Sequence, residues 1–361
     1  MRVLVVTVVH HPLDARIFYR QVQALLAAGH QVTYAAPFSA TDTDVPMGIP
    51  GLDLPRASGR SRLASLRRAR RLIRREAPAH DVVLLHDPEL LIAVKGLGHP
   101  CVVWDVHEDT SAAVSMKPWL PKVLRRPVAA GFRLFERAAE GRVHLLLAEE
   151  GYSPRFRSTH PVVPNCTRVP DDVVAPGTET VVYVGALTLA RGAADLIEVG
   201  RRLGLAGPRV HLVGPADAAA STLLTKAVAE GLVEWHGFLP NDEALAFVDG
   251  ALAGLSLLHD EPNYRHSRPT KVMEYMAHGV PVISTPTPPA RDLVQSADCG
   301  IVVPFGDAKA ATEAVRTMLA DPALRFRLAA NGRVAALRDH DWRVAGPEFV
   351  RVLEEWSGST A

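Results

Sequence analysis

Alternation of apolar strand patterns with amphipathic helix patterns is the feature that most constrains how this chain can fold. Residues 3–9 form a continuous, largely β-branched run, typical of a strand covered on both faces. Residues 16–28 carry apolar side chains at helical spacing, Gly29 ends that helix, and residues 31–36 return to a strand pattern. This β-α-β unit predicts a parallel sheet, because parallel neighbours need a crossover connection.

The alternation continues to residue 148 and restarts after a break. Residues 161–176 hold four prolines, which favours a linker. Before the linker, the patterns predict strands at 81–85, 101–106 and 144–148 and basic helices at 61–75 and 121–140. After it, they predict strands at 180–185, 210–213, 232–236, 253–258 and 280–285 and helices at 193–203, 242–249, 270–278, 308–320, 322–337 and 346–356.

Chain length and charge agree with two domains. The 361 residues suit two hydrophobic cores rather than one. Residues 1–165 hold 22 basic and 15 acidic residues, giving +7, and the remainder holds 18 and 24, giving −6. We predict an α/β fold of two Rossmann-like, doubly wound parallel-sheet domains facing across a cleft, over residues 1–165 and 166–345. The helix in residues 346–361 is expected to pack back on the first domain, and ligands should bind at the carboxyl ends of the strands.

Several classes of protein are disfavoured. A net charge of +1 does not suit a nucleic-acid-binding protein. The three cysteines are far apart, so they indicate neither a zinc site nor a disulfide framework, and a reducing cytoplasm is the natural setting. The first apolar run is too short for a signal peptide, and His10, His11 and Pro12 follow it. We therefore expect a cytoplasmic protein without a membrane span.

The segment best suited to chemistry is residues 263–281. Thr270 can cap a helix, Lys271 lies in its first turn, and Glu274 follows on the same face. A lysine is unfavourable at the positive end of a helix unless an anion binds there. Two interpretations follow: a solvated ion pair, which composition alone favours, or a site in which Lys271 binds phosphate and Glu274 binds ribose hydroxyls.

The pattern Ser267-x-Pro-Thr-Lys-x-x-Glu-Tyr-Met-Ala-x-Gly-x-Pro-Val282 resembles the retaining glycosyltransferases of family 4, which have the GT-B architecture. The resemblance implies that Lys271 contacts the donor phosphates and that Glu274 binds the donor ribose. Many relatives carry a second glutamate eight residues earlier, where this chain has His266. His266 is kept in the donor site, but the departure leaves the identity of the sugar open.

A second segment, Tyr183-Val-Gly-Ala-Leu-Thr-Leu-Ala-Arg-Gly192, joins a predicted strand to a helix. Glycine permits close approach of a phosphate, and arginine can bind it bidentately. The resemblance makes Arg191 a second diphosphate ligand, whereas a solvated arginine is the alternative. Gly185, Gly214 and Phe238, which end or follow predicted strands, are also assigned to the donor site.

The first domain contributes two histidines at predicted strand ends. The runs Leu84–Leu90 and Trp104–Asp109, together with residues 117–121, match a subgroup of the same family. The resemblance implies that His107 lies beside the transferred sugar, and His86 is assigned to the acceptor site. A structural hydrogen bond is the alternative for each histidine. Residues 10–17 match the subgroup too and lack a glycine-rich loop, so Asp14 and Arg16 are assigned to acceptor binding.

The resemblance implies transfer of a sugar from a nucleotide-diphosphate sugar to an acceptor hydroxyl with retention of configuration. The domain over residues 1–165 would bind the acceptor and the domain over 166–345 the donor. His107, Arg191 and Lys271 are the catalytic candidates.

No cofactor and no metal are expected, because Asp42-x-Asp44 lies in a predicted polar loop. No carboxylate nucleophile stands beside the motifs, which favours front-face attack. The acceptor stays open among a glycan, a lipid-linked compound and a small molecule, in glycan or natural-product biosynthesis.

Other functions remain as alternatives. A sugar-nucleotide epimerase would keep the donor site without an acceptor, and a non-catalytic sugar-nucleotide-binding protein would lack turnover. A nicotinamide-dependent oxidoreductase is disfavoured, because no Gly-x-Gly-x-x-Gly follows the first strand. The basic helices at 61–75 and 121–140 are either solvated faces, which we favour, or surfaces that place the protein at the inner face of a membrane.

Overall fold

The computed structural model describes residues 1–109, 121–266 and 268–358. Ser267 and residues 117–120, which carry parts of the motifs above, lie outside the described residues. The chain divides into two compact units: Met1–Asn165 with Arg343–Ala361, and Cys166–Trp342. Among the described residues, no helix is both long enough and apolar enough to cross a bilayer.

The first unit is built on a six-stranded parallel sheet. Its strands are β1 (Arg2–Val6), β2 (Gln31–Ala36), β3 (Gly51–Asp53), β4 (Val82–Leu85), β5 (Val102–Val106) and β6 (His144–Leu147). They lie in the order β3-β2-β1-β4-β5-β6, with every pair parallel. The strand order therefore reverses beside β1 and β4, the point where open α/β sheets bind ligands.

Helices connect these strands. A π-helical stretch, Ile17–Val22, runs into α1 (Gln23–Ala27). The others are α2 (Arg62–Glu76), α3 (Leu90–Ala93), α4 (Lys122–Ala139) and, at the end of the chain, α12 (Trp342–Ser357). Apolar side chains from the sheet, α2 and α3 form one buried core that includes Leu4, Ile73, Leu85, Leu90 and Trp104.

The second unit repeats the same plan. Its strands are β7 (Thr180–Val184), β8 (Arg209–Val213), β9 (Glu234–Trp235), β10 (Ala253–Ser256), β11 (Val282–Ser284) and β12 (Gly300–Val302). They are parallel, in the order β12-β11-β10-β7-β8-β9. The order reverses here beside β7 and β10.

The helices of the second unit cover both faces of this sheet with apolar side chains. They are α5 (Ala193–Leu203), α6 (Ala218–Ala229), α7 (Asn241–Ala246), α8 (Thr270–Ala277), α9 (Pro288–Ala297), α10 (Ala308–Ala320) and α11 (Pro322–Asp339). Two Rossmann-like parallel sheets with flanking helices confirm the predicted fold class.

The first strand is shorter than predicted, because a buried carboxylate accepts the backbone hydrogen bonds after Thr7, whose own amide still donates to the Ala35 carbonyl at 3.0 Å. Asp87 accepts hydrogen bonds through Oδ2 from the hydroxyl of Thr7 at 3.0 Å and from the amides of Val8 at 2.5 Å and Val9 at 3.2 Å. The chain therefore leaves the ladder at the carboxyl edge of the sheet. Hydrophobic patterning alone could not show this end.

Among the elements that the sequence patterns missed are β3, α3, α6 and α9. The helix α3 has only four residues, Leu90–Ala93. The strand β3 is a three-residue edge strand, too short for a period to show. The helix α6 carried a usable signal, since the Asp217 side chain caps it by accepting from the Ala220 amide at 2.8 Å. Thr270 was wrongly expected to cap α8: it is the first helical residue, after Pro269, and no side-chain cap is present.

Candidate functional site

Lys271 lies in the first turn of α8, and both Lys271 and Glu274 are buried. Their exposed fractions are 6% and 4%. Among the described residues, the Lys271 ammonium has no hydrogen-bond partner. The interpretation of a solvated ion pair is therefore wrong, because a buried ammonium is stable only when something compensates its charge.

Aromatic and backbone groups from the end of β7 surround that ammonium. Lys271 Nζ lies 3.7 Å from the centroid of the Tyr183 ring, a cation–π contact. A Cβ built at Gly185 would lie 3.4 Å from Cε of Lys271 and 3.5 Å from Nζ. Strand β7 and helix α8 thus meet at the carboxyl edge of the second sheet, where Gly185 and Lys271 lie against each other.

Arg191 adds a second positive charge to this edge. It ends a short 3₁₀ turn, Leu189–Arg191, in which the Thr188 hydroxyl accepts from the Arg191 amide at 3.2 Å. Burial, and then the charge of Arg191, hold the pKa of Lys271 well below its usual range, although Glu274 favours the protonated form. Two cations at one sheet edge, one of them a buried ammonium without a hydrogen-bond partner among the described residues, suit a multiply charged anion.

Glycines make this edge accessible to a ligand. Gly185 and Gly214 have φ angles of +124° and +143°, in the region that side chains rarely adopt. A Cβ at Gly214 would lie 2.1 Å from the Gly185 carbonyl oxygen, and one at Gly192 would lie 2.2 Å from the Leu257 carbonyl oxygen. The loops after β7 and β8 therefore pack backbone against backbone.

Gly214→Ala is expected to lower the free energy of unfolding by about 3 kcal/mol, from backbone strain plus overpacking. Gly204→Ala is the matched control, since Gly204 also has a positive φ, +71°, but nothing lies within 4 Å of its Cβ position. The free energy of unfolding of Gly204→Ala should fall by only about 1 kcal/mol. Urea unfolding of both variants measures the difference, and equal losses would contradict the close approach.

The remaining donor-site predictions lie on the same unit. Phe238 follows Gly237, whose carbonyl accepts from the Gly214 amide at 2.7 Å, and its ring is 43% exposed. His266 is exposed in the loop before α8. Their roles in donor binding stay predictions.

In the first unit, a buried ion pair organises the carboxyl edge of the sheet. Asp105 on β5 accepts from Arg16 Nε at 2.8 Å and from Nη2 at 2.7 Å. Arg16 also donates to the side-chain oxygen of Asn165 at 2.8 Å, and Gln21 donates to Asp105 at 3.0 Å. Arg16 is thus bound inside the protein, a role that the sequence did not predict. Its guanidinium would act on a ligand through Asp105.

His107 shares that carboxylate. Its Nδ1 lies 3.4 Å from Asp105 Oδ2, and its Nε2 lies 3.1 Å from His10 Nε2. Burial lowers the pKa of His107, but the hydrogen bond and charge of Asp105 outweigh that effect and raise it to about 9. His107 is therefore an imidazolium at neutral pH, so it donates its Nε2 proton to His10.

The His107 imidazole is expected to titrate near pH 9 in an NMR pH series. The folded pKa lies above the ordinary 6.5, so the charged form contributes stability, by about 3 kcal/mol at most. That contribution is complete below pH 6.5 and is lost as the pH rises through 9. His107→Ala should remove this part of the pH dependence of unfolding. Titration of wild-type His107 near 6.5 would contradict the Asp105 contact.

The other first-unit predictions differ in their surroundings. Asp14 caps the Ile17–Val22 stretch, since its Oδ1 accepts from the amides of Arg16 at 2.9 Å and Ile17 at 3.0 Å. His86 is 2% exposed, and burial lowers its pKa. A cavity of about 780 Å³ opens over His86 and His107. Its lining includes His10, Arg56, His86, Asp87, Glu89 and His107.

The group His86, Asp105 and His107 is spaced closely enough to hold a metal ion. Its chemistry suits one poorly, because Arg16 occupies both oxygens of Asp105. A metal would also have to displace the proton of His107. The arrangement is better described as a positively charged imidazole held in place by a carboxylate.

Asp105, Asp87, His10 and Tyr183 were not singled out by the sequence, although all four contact predicted site residues or their strands. A signal existed for Asp105, since a charged residue inside the apolar strand run 102–106 must have a buried partner. Tyr183 gave none, because an aromatic residue is ordinary in a strand.

Most of the second unit matches the model of a known protein family. The model of the family described as Glycosyl transferases group 1 matches residues 170–335, which include Gly185, Arg191, Lys271 and Glu274. A protein of Escherichia coli (strain K12), provisionally named colanic acid biosynthesis glycosyltransferase WcaL, is 33% identical over 147 residues. That match covers 39% of this chain and 36%, about a third, of the relative.

Solved structures share the fold over nearly the whole chain. Sucrose-phosphate synthase from Thermosynechococcus elongatus superposes with a TM-score of 0.77 at 17% identity, covering 99% of this chain and all of that one. Anabaena Alr3699/HepE, in complex with UDP-glucose, gives a TM-score of 0.71 at 14% identity, over 98% of this chain and 100% of its own. Residues 170–335, which make up most of the second unit, match the model of the glycosyl transferases group 1 family, and the two parallel sheets have the GT-B fold of these solved structures.

Proposed function

We propose that the chain transfers a sugar from a nucleotide-diphosphate sugar to an acceptor hydroxyl, with retention of configuration. The buried ammonium of Lys271, which has no hydrogen-bond partner among the described residues and feels the charge of Arg191, carries the proposal. A diphosphate would supply the missing counter-charge. The family match and the UDP-glucose complex of Alr3699/HepE, which has the same fold, make UDP-glucose the first donor to test.

Lys271 and Arg191 would act on the leaving group. As the bond between the anomeric carbon and the phosphate oxygen breaks, its electron pair remains on the nucleoside diphosphate. Preorganised cations stabilise this growing charge more in the transition state than in the ground state. The same two cations lead us to propose that the reaction requires neither a metal nor a cofactor. Glu274 would accept hydrogen bonds from the donor ribose, with Gly185, Gly214, Phe238 and His266 lining the donor site.

We assign acceptor binding to the first unit, at the cavity over His86. His107 would lie beside the transferred sugar as an imidazolium. Asp14 would position the acceptor by holding the helix that carries Arg16, and Arg16 would do so by holding Asp105. In the proposed front-face reaction, the acceptor hydroxyl bonds to the anomeric carbon on the side that the diphosphate leaves, and its proton passes to a phosphate oxygen.

A thermal-shift panel of nucleotides and nucleotide sugars tests the donor site. One nucleoside diphosphate should raise the melting temperature, and its sugar derivative should do the same, because both bind only the native state. No shift with any nucleotide would overturn the proposal. Turnover then separates the alternatives: an epimerase converts the nucleotide sugar without an acceptor, whereas a binding protein shows a shift but no turnover.

The stereochemistry has its own measurement. The anomeric proton coupling of the product should show the configuration of the donor, as the front-face reaction requires. A product of inverted configuration would rule out this mechanism while leaving the donor site intact.

We further propose a cytoplasmic protein that touches an anionic membrane through α4. Three apolar residues of that helix, Val123, Leu124 and Leu134, are 82%, 48% and 67% exposed, among several arginines. Leu134→Ser should weaken sedimentation with phosphatidylglycerol vesicles by roughly 10-fold, as loss of a buried apolar side chain implies. Leu205→Ser, at an 88% exposed site of the second unit, is the control. If the wild-type protein does not sediment with the vesicles, α4 is a solvated helix and the membrane proposal is wrong.

A further inference from the structure

Three potential metal ligands lie together at the edge of the second sheet. His211 on β8 is the cross-strand partner of Glu234 on β9. His236 follows two residues after Glu234, and its amide donates to the Leu212 carbonyl at 3.0 Å, so the strand geometry continues to it. Because side chains alternate along a strand, Glu234 and His236 project from the same face. Adjacent strands thus hold two imidazoles and one carboxylate together.

The distances between the ligand atoms suit a single small ion. His211 Nδ1 lies 3.0 Å from His236 Nε2 and 3.6 Å from Glu234 Oε2. The three ligand atoms lie within 4.8 Å of one another. A tetrahedral ion bound at about 2.0–2.1 Å separates its ligand atoms by about 3.3 Å. Small side-chain rotations would therefore close the group around an ion.

The surroundings hold these side chains in place. The Phe247 ring packs on both imidazoles, with centroid distances of 4.3 Å to His236 and 5.7 Å to His211. Arg209 Nη1 donates to the other carboxylate oxygen of Glu234 at 2.8 Å, as an outer partner that orients a ligand would. Strand β9 is an edge strand, and the Glu234 side chain is 41% exposed, so an ion and a water molecule can reach the group.

We propose that His211, Glu234 and His236 form a binding site for one divalent transition-metal ion, with Zn²⁺ as the best match. His211 Nδ1, His236 Nε2 and one Glu234 oxygen would be the protein ligands, and water would complete the tetrahedron. Two imidazoles and a carboxylate favour Zn²⁺, Co²⁺ or Ni²⁺ over Mg²⁺ and Ca²⁺, which prefer oxygen ligands.

The proposed metal site has a structural role. The proposal for this site does not depend on the proposed transferase function. An ion would link edge strand β9 to β8 through side chains, in addition to their short backbone ladder. Gly237 directly follows His236 and accepts from the Gly214 amide at 2.7 Å. The ion would therefore stabilise the segment that places Gly214 and Phe238. The competing explanation is a hydrogen-bonded imidazole pair packed on Phe247, which needs no metal.

Metal binding to the untagged, full-length protein after dialysis against a chelator tests the site. Titration with Co²⁺, followed by visible absorption, should give one equivalent with the intense bands of tetrahedral coordination, and Zn²⁺ should displace it. His211→Ala and His236→Ala should each weaken Co²⁺ binding by more than ~100-fold, beyond the loss for an outer partner. Glu234→Gln should weaken it less, and His259→Ala, at an ion pair elsewhere in the unit, should not change it.

A second measurement guards against misfolded variants. Zn²⁺ should raise the melting temperature of the wild type and of His259→Ala, but not of His236→Ala. Two results would overturn the proposal: Co²⁺ binding that survives in His211→Ala and His236→Ala, or no binding at micromolar Co²⁺ to the wild type. Loss of binding in His107→Ala alone would instead assign the ion to the first unit.

Discussion

Replacing Lys271 with methionine is expected to stabilise the ligand-free protein and to lower the proposed transferase activity strongly. Methionine fills the same space without a buried charge, so the melting temperature should rise by about 2–4 °C, as ~1 kcal/mol gives in a domain of this size. Turnover of the nucleotide sugar should fall on the order of 10²–10³-fold in kcat, the loss expected when a group that stabilises the leaving charge is removed. A higher melting temperature together with lower turnover would show that Lys271 serves ligand binding at a cost in stability.

The pH dependence gives an independent check. Because burial lowers the pKa of Lys271, the unfolded chain binds a proton that the ligand-free folded chain holds only at lower pH. Stability of the wild type should therefore decline as the pH falls below the lysine's ordinary 10.5, and Lys271→Met should lack this component. A bound nucleoside diphosphate should reverse this loss of stability at lower pH, since its negative charge favours the protonated form of Lys271.

Lys226→Met is the matched control for Lys271→Met. Lys226 lies on α6 of the same unit, but its side chain is 77% exposed and is paired with Glu230. Its replacement should alter neither the nucleotide-induced thermal shift nor turnover. If Lys271→Met keeps both, the donor site lies elsewhere in the protein.

Asp105→Ala is expected to destabilise the protein by about 3–5 kcal/mol, the cost of leaving a buried charge without its partner. The variant leaves the Arg16 guanidinium, 5% exposed, facing an empty space where both carboxylate oxygens had been. The pKa of His107 should fall as well, because Asp105 is the group that raises it. Urea unfolding and NMR titration of His107 measure the two effects.

A double-mutant cycle with Arg16→Met separates the ion pair from general damage. Removing both partners should cost less than the sum of the single losses, with a coupling of roughly 2 kcal/mol. Glu348→Ala breaks an exposed helical pair with Arg351 and should leave stability nearly unchanged. Additive losses for Arg16 and Asp105 would show that the two residues act independently, against the contacts described above.

Much of the fold follows from the sequence because it depends on local pattern. The patterns predict a strand at 180–185, a helix at 193–203 and a strand at 210–213, and the structure has β7 (Thr180–Val184), α5 (Ala193–Leu203) and β8 (Arg209–Val213) there. Hydrophobic periodicity is a property of neighbouring residues, so it needs no knowledge of the partner. Prediction from periodicity failed where an element is very short, as at β3, and where side-chain contacts end a strand, as in the residues after Val6.

The sequence alone also determined that Lys271 lies in the first turn of a helix, that Glu274 follows on the same face, and that glycines end the neighbouring strands. It could not show whether the ammonium meets water or protein. That was decided by the strand order, which brings Tyr183 and Gly185 against a lysine almost ninety residues later in the chain. Parallel neighbours are joined through long crossovers, so their contacts leave no local period.

The same reason applies to the two histidine groups. Asp105 meets Arg16 because the strand order brings the segments that carry them to the same edge of the sheet, and His211 meets His236 because β8 and β9 lie side by side. The sequence therefore determined the elements and the chemistry available at their ends. Tertiary structure alone decided which charges are buried together, and burial sets both their pKa values and their effect on stability.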